Sequence, residues 1–229
     1  LNAGTLSDRP GRRMFDGARE RPAGALVVQG EIARQLDCVM DDPADCCVFV
    51  YGPAGGGKKF QVEHLMARCR LKCVFADVEG EGWLEQAEEA ALAALLTGSA
   101  LCLYHLDRRG ENNEPAPTGG AMLRALERLD CGSKKRFFLS VLPPAARIDT
   151  LSVEIELPPV TETQRLGLFR ASLRDAPLDG SFTPEELAAK FRFTPRQVRL
   201  SCSQAIGLAR LSGEGRVGGK RIHQCCYQQ

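Results

Sequence analysis

No apolar run in this 229-residue chain approaches the ~20 residues needed to cross a bilayer. The opening Leu1-Asn2-Ala3-Gly4 lacks the apolar core of a secretory signal. With neither feature present, the expected address is cytoplasmic and no membrane partner is expected. An excess of charge is also missing: the net charge is +1, which favours neither an acidic nor a basic partner. The basic run Lys134-Lys135-Arg136 is too short for a nucleic-acid footprint and is expected to be a solvated turn, so nucleic acid is not an expected partner. Ten cysteines are present, yet there is no C-x-x-C, and His64, His105 and His223 are scattered. Zinc-ligand spacing is therefore absent. Cys38, Cys47, Cys69, Cys73, Cys102 and Cys202 lie within apolar patterns, where a reduced thiol packs as a small hydrophobe. An initiator methionine is lacking as well, so the chain is expected to be a piece of a longer polypeptide.

What the chain does have is alternation of apolar runs with helical periodicity. Residues 1–24, rich in Gly, Pro, Arg and Asp, read as a linker or irregular arm. Val28, Ile32, Leu36 and Met40 fall on one helical face, and Asp41-Asp42-Pro43 ends that helix. Apolar runs at 46–51, 71–76, 100–106 and 137–142 read as buried strands, and the alternating 153–157 reads as an edge strand. Helical patterns occupy the intervals at 83–97 and 119–130, the latter with Met122, Leu126 and Leu129 inward. After Pro158-Pro159 the pattern turns to helix only. Thr161, Thr183 and Thr194 each open a helix with Gln or Glu three residues on. Residues 212–229 begin Gly-rich, show no packed pattern and read as a linker tail. The expected architecture is a parallel α/β subdomain over 25–159 and a small helical lid over 160–211.

One stretch carries chemistry. Gly52-Pro53-Ala54-Gly55-Gly56-Gly57-Lys58-Lys59 follows a strand and opens a helix. Four glycines let several backbone N–H groups turn toward one anion, and the helix N-terminus adds its partial positive charge there. Lys58 stands where a lysine reaches the terminal phosphates of a nucleoside triphosphate. Lys59 stands where a Ser or Thr hydroxyl would ligate Mg²⁺, and an ammonium cannot do so. A plain glycine-rich turn with two solvated lysines is the alternative.

These residues resemble the AAA+ ATPases, more narrowly the first, less regular ATPase module of bacterial two-module AAA proteins, including those encoded with contractile injection systems. Gly52–Lys59 resembles Walker A except at its last position. Leu101–Asp107 looks like Walker B, and 137–142 like the sensor 1 strand. Residues 153–169 resemble the passage into the helical lid, and 187–199 the helices bearing sensor 2. The likeness spans about 26–211. It implies a P-loop NTPase fold: a three-layer parallel sheet with a small C-terminal helical lid. It implies ATP or ADP as ligand, held by Gly52, Pro53, Ala54, Gly55, Gly56, Gly57, Lys58, Lys59 and Phe60, with Asp107, Ser140 and Arg196. Mg²⁺ would fall to Asp107, which reads equally as the polar end of a buried strand. Arg147 lies near the arginine-finger position, and Arg196 and Arg199 near sensor 2; solvated arginines are the alternative for all three.

Two departures bear on turnover. AAA+ hydrolysis uses a Glu directly after the Walker B Asp, where this chain has Arg108. The sensor 1 strand offers Ser140 rather than Asn. The expected function is thus an ATP-binding, hydrolysis-impaired AAA+ module that supports assembly or regulation of a larger ATPase, with neighbouring modules or subunits as partners in a homo-oligomer. Alternatives are an active protein-remodelling motor using Glu111 or Glu114 as base, and an interaction domain without nucleotide. A small-molecule P-loop kinase is disfavoured by the lid and by Lys59.

Overall fold

The computed structural model describes residues 11–22, 30–78, 82–106, 120–129, 131–132, 134–144 and 147–229. They divide into two compact units, one of 11–22, 30–52 and 58–157, the other of 53–57 and 158–229.

The first unit contains strands β1 (Arg12–Asp16), β2 (Cys46–Tyr51), β3 (Lys72–Asp77), β4 (Ala100–Tyr104), β5 (Lys135–Ser140) and β6 (Ser152–Glu156). Its helices are α1 (Gly30–Asp41), α2 (Lys58–Cys69), α3 (Trp83–Thr97) and α4 (Gly120–Glu127). The strands form one six-stranded sheet in the order β1-β3-β4-β5-β2-β6. Pairings among β2 to β6 are parallel. Successive strand side chains alternate between faces, and the core divides accordingly. Cys46, Val48, Val50, Phe75, Phe137 and Leu139 pack with Ile32, Leu36 and Val39 of α1 and Val62, Leu65 and Met66 of α2. Cys47, Phe49, Val74, Leu103 and Phe138 face the alanines of α3 and Leu126 of α4. Helices therefore cover both faces, giving three layers. Neighbouring Phe137 and Phe138, both buried and on opposite faces, each contribute about 2–3 kcal/mol of burial.

Four expectations need correction. The sheet is mixed rather than parallel, because part of the presumed arm is β1, antiparallel to β3 with Arg12 opposite Ala76 and Asp16 opposite Lys72. Only Phe15 of β1 is buried, edge-on to Phe75 at 6.3 Å, so five residues show no readable alternation. Pairing with a strand some sixty residues away holds them. Lys135 and Arg136 are not a solvated turn but buried strand residues. The Lys135 ammonium donates to the Ala44 carbonyl at 2.7 Å, and the Arg136 guanidinium meets Asp45 at 2.9 Å. On α1 it is Val39 that is buried, while Cys38 is exposed.

The fourth correction lies in the second unit, which contains α5 (Glu162–Leu173), α6 (Pro184–Lys190), α7 (Pro195–Leu211) and α8 (Gly219–Tyr227). Helix α8 occupies the supposed linker tail and buries Ile222, Cys225 and Cys226 with Phe169, Leu187 and Cys202. Its N-cap, Gly218, has no side chain to cap with. The Gly219 N–H instead donates to Ser181 Oγ at 2.7 Å, and that hydroxyl donates to Asp179 at 2.6 Å. A cap supplied from 38 residues away leaves no local mark in the sequence. The other three helices announce themselves: Thr161–Gln164, Thr183–Glu186 and Thr194–Gln197 each form the reciprocal capping box. All ten cysteines are free thiols. Burial pushes Cys47 and Cys202 up to about 12, which keeps them protonated and unreactive. No helix among the described residues is long and apolar enough to cross a membrane.

Candidate functional site

The glycine loop joins β2 to α2 and takes its shape from backbone demands. Gly52 has φ 141°, and a Cβ there would lie 2.3 Å from the Leu157 carbonyl oxygen. No larger residue fits, because the chain leaving β6 passes directly against the loop's first residue. The Gly52 N–H donates to the Val141 carbonyl at 3.2 Å. Gly55 and Gly57 are left-handed, at φ 74° and 96°, on either side of Gly56, whose N–H donates to the Pro53 carbonyl at 3.0 Å. Within the second unit, the Arg196 N–H donates to the Gly55 carbonyl at 3.2 Å. A Cβ on Gly55 would meet Arg196 Cβ at 2.9 Å and Thr194 Oγ1 at 3.0 Å. The Thr194 capping box thus fixes the first turn of α7 where the loop glycine rests. Pro53 is half-buried and Ala54 exposed.

Lys58 opens α2, and its ammonium donates to the Gly52 carbonyl at 2.8 Å, bridging the two ends of the loop. Lys59 points elsewhere. Its ammonium lies 4.4 Å from the centre of the Tyr104 ring, at the end of β4, and 5.2 Å from that of Phe75, within β3. One helical turn on, Glu63 is buried, with Arg13 Nη1 3.4 Å from its carboxylate. Burial raises the Glu63 pKa, while Lys59 and then Arg13 pull it back. Phe60 stacks on His64 of the same helix, ring centres 5.9 Å apart, and is half-buried.

Of the remaining expected residues, Arg196 meets the loop through its backbone N–H on Gly55. Ser140 ends β5 opposite Tyr51, and its hydroxyl donates to the Leu142 carbonyl at 2.6 Å. Asp107, Arg108, Glu111 and Glu114 lie outside the described residues. Arg147, Arg196 and Arg199 are exposed.

The structure also joins a pair that periodicity did not single out. Asp77 ends β3, and His105 follows β4 with the left-handed φ of 64°. The His105 Nδ1 lies 2.8 and 2.9 Å from the two Asp77 carboxylate oxygens. The ring of Tyr104 meets that imidazole edge-on at 4.9 Å. The legible clue was an acid closing one apolar run and a histidine near the close of another; adjacency of β3 and β4 was the missing fact.

Donor chemistry decides what this corner can hold. Among the described residues no three His, Cys, Asp or Glu side chains group into a metal site. At the loop itself both side chains after Gly57 end in ammonium groups, which have no lone pair to offer a cation. Mg²⁺ does not fit these loop residues, whereas an anion does.

No curated protein matches the chain. Residues 161–229 match the family model of the contractile injection system ATPase helical domain, a span that includes α8 as well as α5 to α7.

Proposed function

We propose that the chain is a nucleotide-binding module of AAA+ type that holds ATP or ADP at Gly52–Phe60 and turns it over poorly. The observation that carries this is the loop and its two lysines. Left-handed Gly55 and Gly57 flank Gly56, and such alternation of hand turns successive N–H groups toward one side, as anion-binding nests require. The first turn of α2 holds two cations and no acid, although the helix dipole disfavours each cation there by roughly 0.3–1 kcal/mol. A phosphate chain in front of that turn reverses the sign of the cost. The Lys58 ammonium, resting on the Gly52 carbonyl, then exchanges that neutral acceptor for a charged one, a stronger hydrogen bond.

Poor turnover follows from the sequence. Arg108 stands where a water-orienting acid belongs, and arginine cannot accept a proton. Phosphoryl transfer relies on positioned water and charge stabilisation, so that loss falls on the hydrolytic step and spares binding. The match of 161–229 to an injection-system ATPase domain supports a place in a larger ATPase assembly. Exposed Leu92 and Leu96 on α3 supply apolar surface for contact with a neighbouring module or subunit.

Isothermal titration of the chain with ATP and with ADP tests the binding. Lys58→Ala is expected to weaken affinity by at least about tenfold, the worth of one charge-assisted phosphate contact. Unchanged affinity would remove the loop from the site. A wild-type turnover of ~1 s⁻¹ or more that is lost in Lys58→Ala would replace this account by that of an active motor.

A further inference from the structure

We propose that Lys59 is a built-in replacement for the divalent cation, so that this module binds its nucleotide free of metal. The inference rests on the nucleotide site proposed above and concerns the chemical form of its ligand.

Lys59 follows the phosphate-facing lysine directly, on the first turn of α2, where the P-loop pattern needs a hydroxyl for Mg²⁺. Its ammonium is not left to wander in solvent. It rests on two aromatic faces, 4.4 Å from the centre of Tyr104 and 5.2 Å from that of Phe75. Phe75 is fully buried and Tyr104 half-buried, so both rings are fixed by the sheet. Aromatic faces attract a cation through the ring quadrupole while offering it no competing hydrogen-bond acceptor. The ammonium therefore keeps its N–H groups for an oxygen acceptor in front of it. The buried Glu63, one turn further along the same helix, balances part of the charge.

Tyr104 is the last residue of β4. Ligands of open α/β sheets bind outside the carboxyl ends of the strands, which places this ammonium on the ligand's side of the sheet. A divalent cation brought there would face a fixed positive charge in a partly desolvated corner and would find no oxygen from residue 59. Metal and ammonium exclude each other. One tethered positive charge partly neutralises the phosphates and makes no demand on Mg²⁺ supply. It also leaves out the metal that would polarise the phosphorus for attack, consistent with a module that holds nucleotide rather than spends it.

The test titrates ATP into the wild-type chain and Lys59→Thr, each in excess Mg²⁺ and in EDTA. Wild type is expected to bind within about twofold in the two conditions, and Lys59→Thr to lose about tenfold or more in EDTA and recover it with Mg²⁺. Lys59→Met, which keeps the packing stem but not the charge, is expected to be weak in both and supplies the test if the threonine variant does not fold. Wild-type binding that needs Mg²⁺ by tenfold or more overturns the role of Lys59 and leaves the nucleotide site standing. So does Lys59→Thr or Lys59→Met binding as tightly as wild type in EDTA. If wild type binds no ATP in either condition, the nucleotide site itself falls, and this inference with it.

Discussion

The two units hold together by different means. In the α/β unit every parallel neighbour comes from a distant stretch: β2 lies between β5 and β6, roughly ninety and one hundred residues further on. In the helical unit, three of four helices are started by a threonine and a Gln or Glu three residues later. The first kind of order pays loop-closure entropy before any contact forms, and the second is written into four consecutive residues. Sequence inspection accordingly recovers the helical starts to the residue and the sheet only as a set of strands without an order.

The largest test of this contrast removes a core phenylalanine from each unit. Phe137→Ala and Phe169→Ala each empty a fully buried site, at an expected cost of about 3–5 kcal/mol. Trp83, the single tryptophan, packs against the core of the α/β unit, so its fluorescence reads Phe137→Ala, and circular dichroism at 222 nm reads Phe169→Ala. A smaller and purely local effect is expected from Thr183→Ala. It removes the side chain that accepts from the Glu186 N–H, at a cost of about 1 kcal/mol in urea denaturation. A loss as large as that of Phe169→Ala would mean that the caps are not local devices.

The smallest expected effect depends on pH. Burial raises the folded-state pKa of Glu63, so between the ordinary glutamate value and that raised value the folded state binds more protons than the unfolded one. Stability then falls as pH rises through this window, because the carboxylate must form in a buried place. Glu63→Gln abolishes that part of the slope. Unfolding midpoints of the two proteins at several pH values check it, and parallel profiles would assign the slope to other groups.

The corrections follow the same division. β1 escaped notice because a single buried Phe15 makes no pattern, and only the exposed edge of β3 gives its backbone groups partners. α8 escaped because its cap is Ser181, and because Ile222 is the one aliphatic residue among its buried side chains, the others being Cys225 and Cys226. Lys135 and Arg136 looked like surface charge until the Ala44 carbonyl and the Asp45 carboxylate came beside them. At the candidate site, the glycines and lysines from Gly52 to Lys59 were legible at once, since a glycine-rich loop is built from consecutive residues. The directions in which Lys58 and Lys59 part were not, nor was the pairing of His105 with Asp77.

The sequence by itself determined the strands and helices other than β1 and α8, the change to an all-helical C-terminal region, the starts of three helices and the glycine-rich loop between β2 and α2. Each of these rests on neighbours in the chain: periodicity, caps and glycine backbone freedom act over a few residues. Only the tertiary structure decided that Gly52 must remain glycine against Leu157, that Lys59 rests on Tyr104 and Phe75, and that α8 closes the helical core. Those depend on which distant segments share a sheet edge or a core, and no local pattern of residues encodes that adjacency.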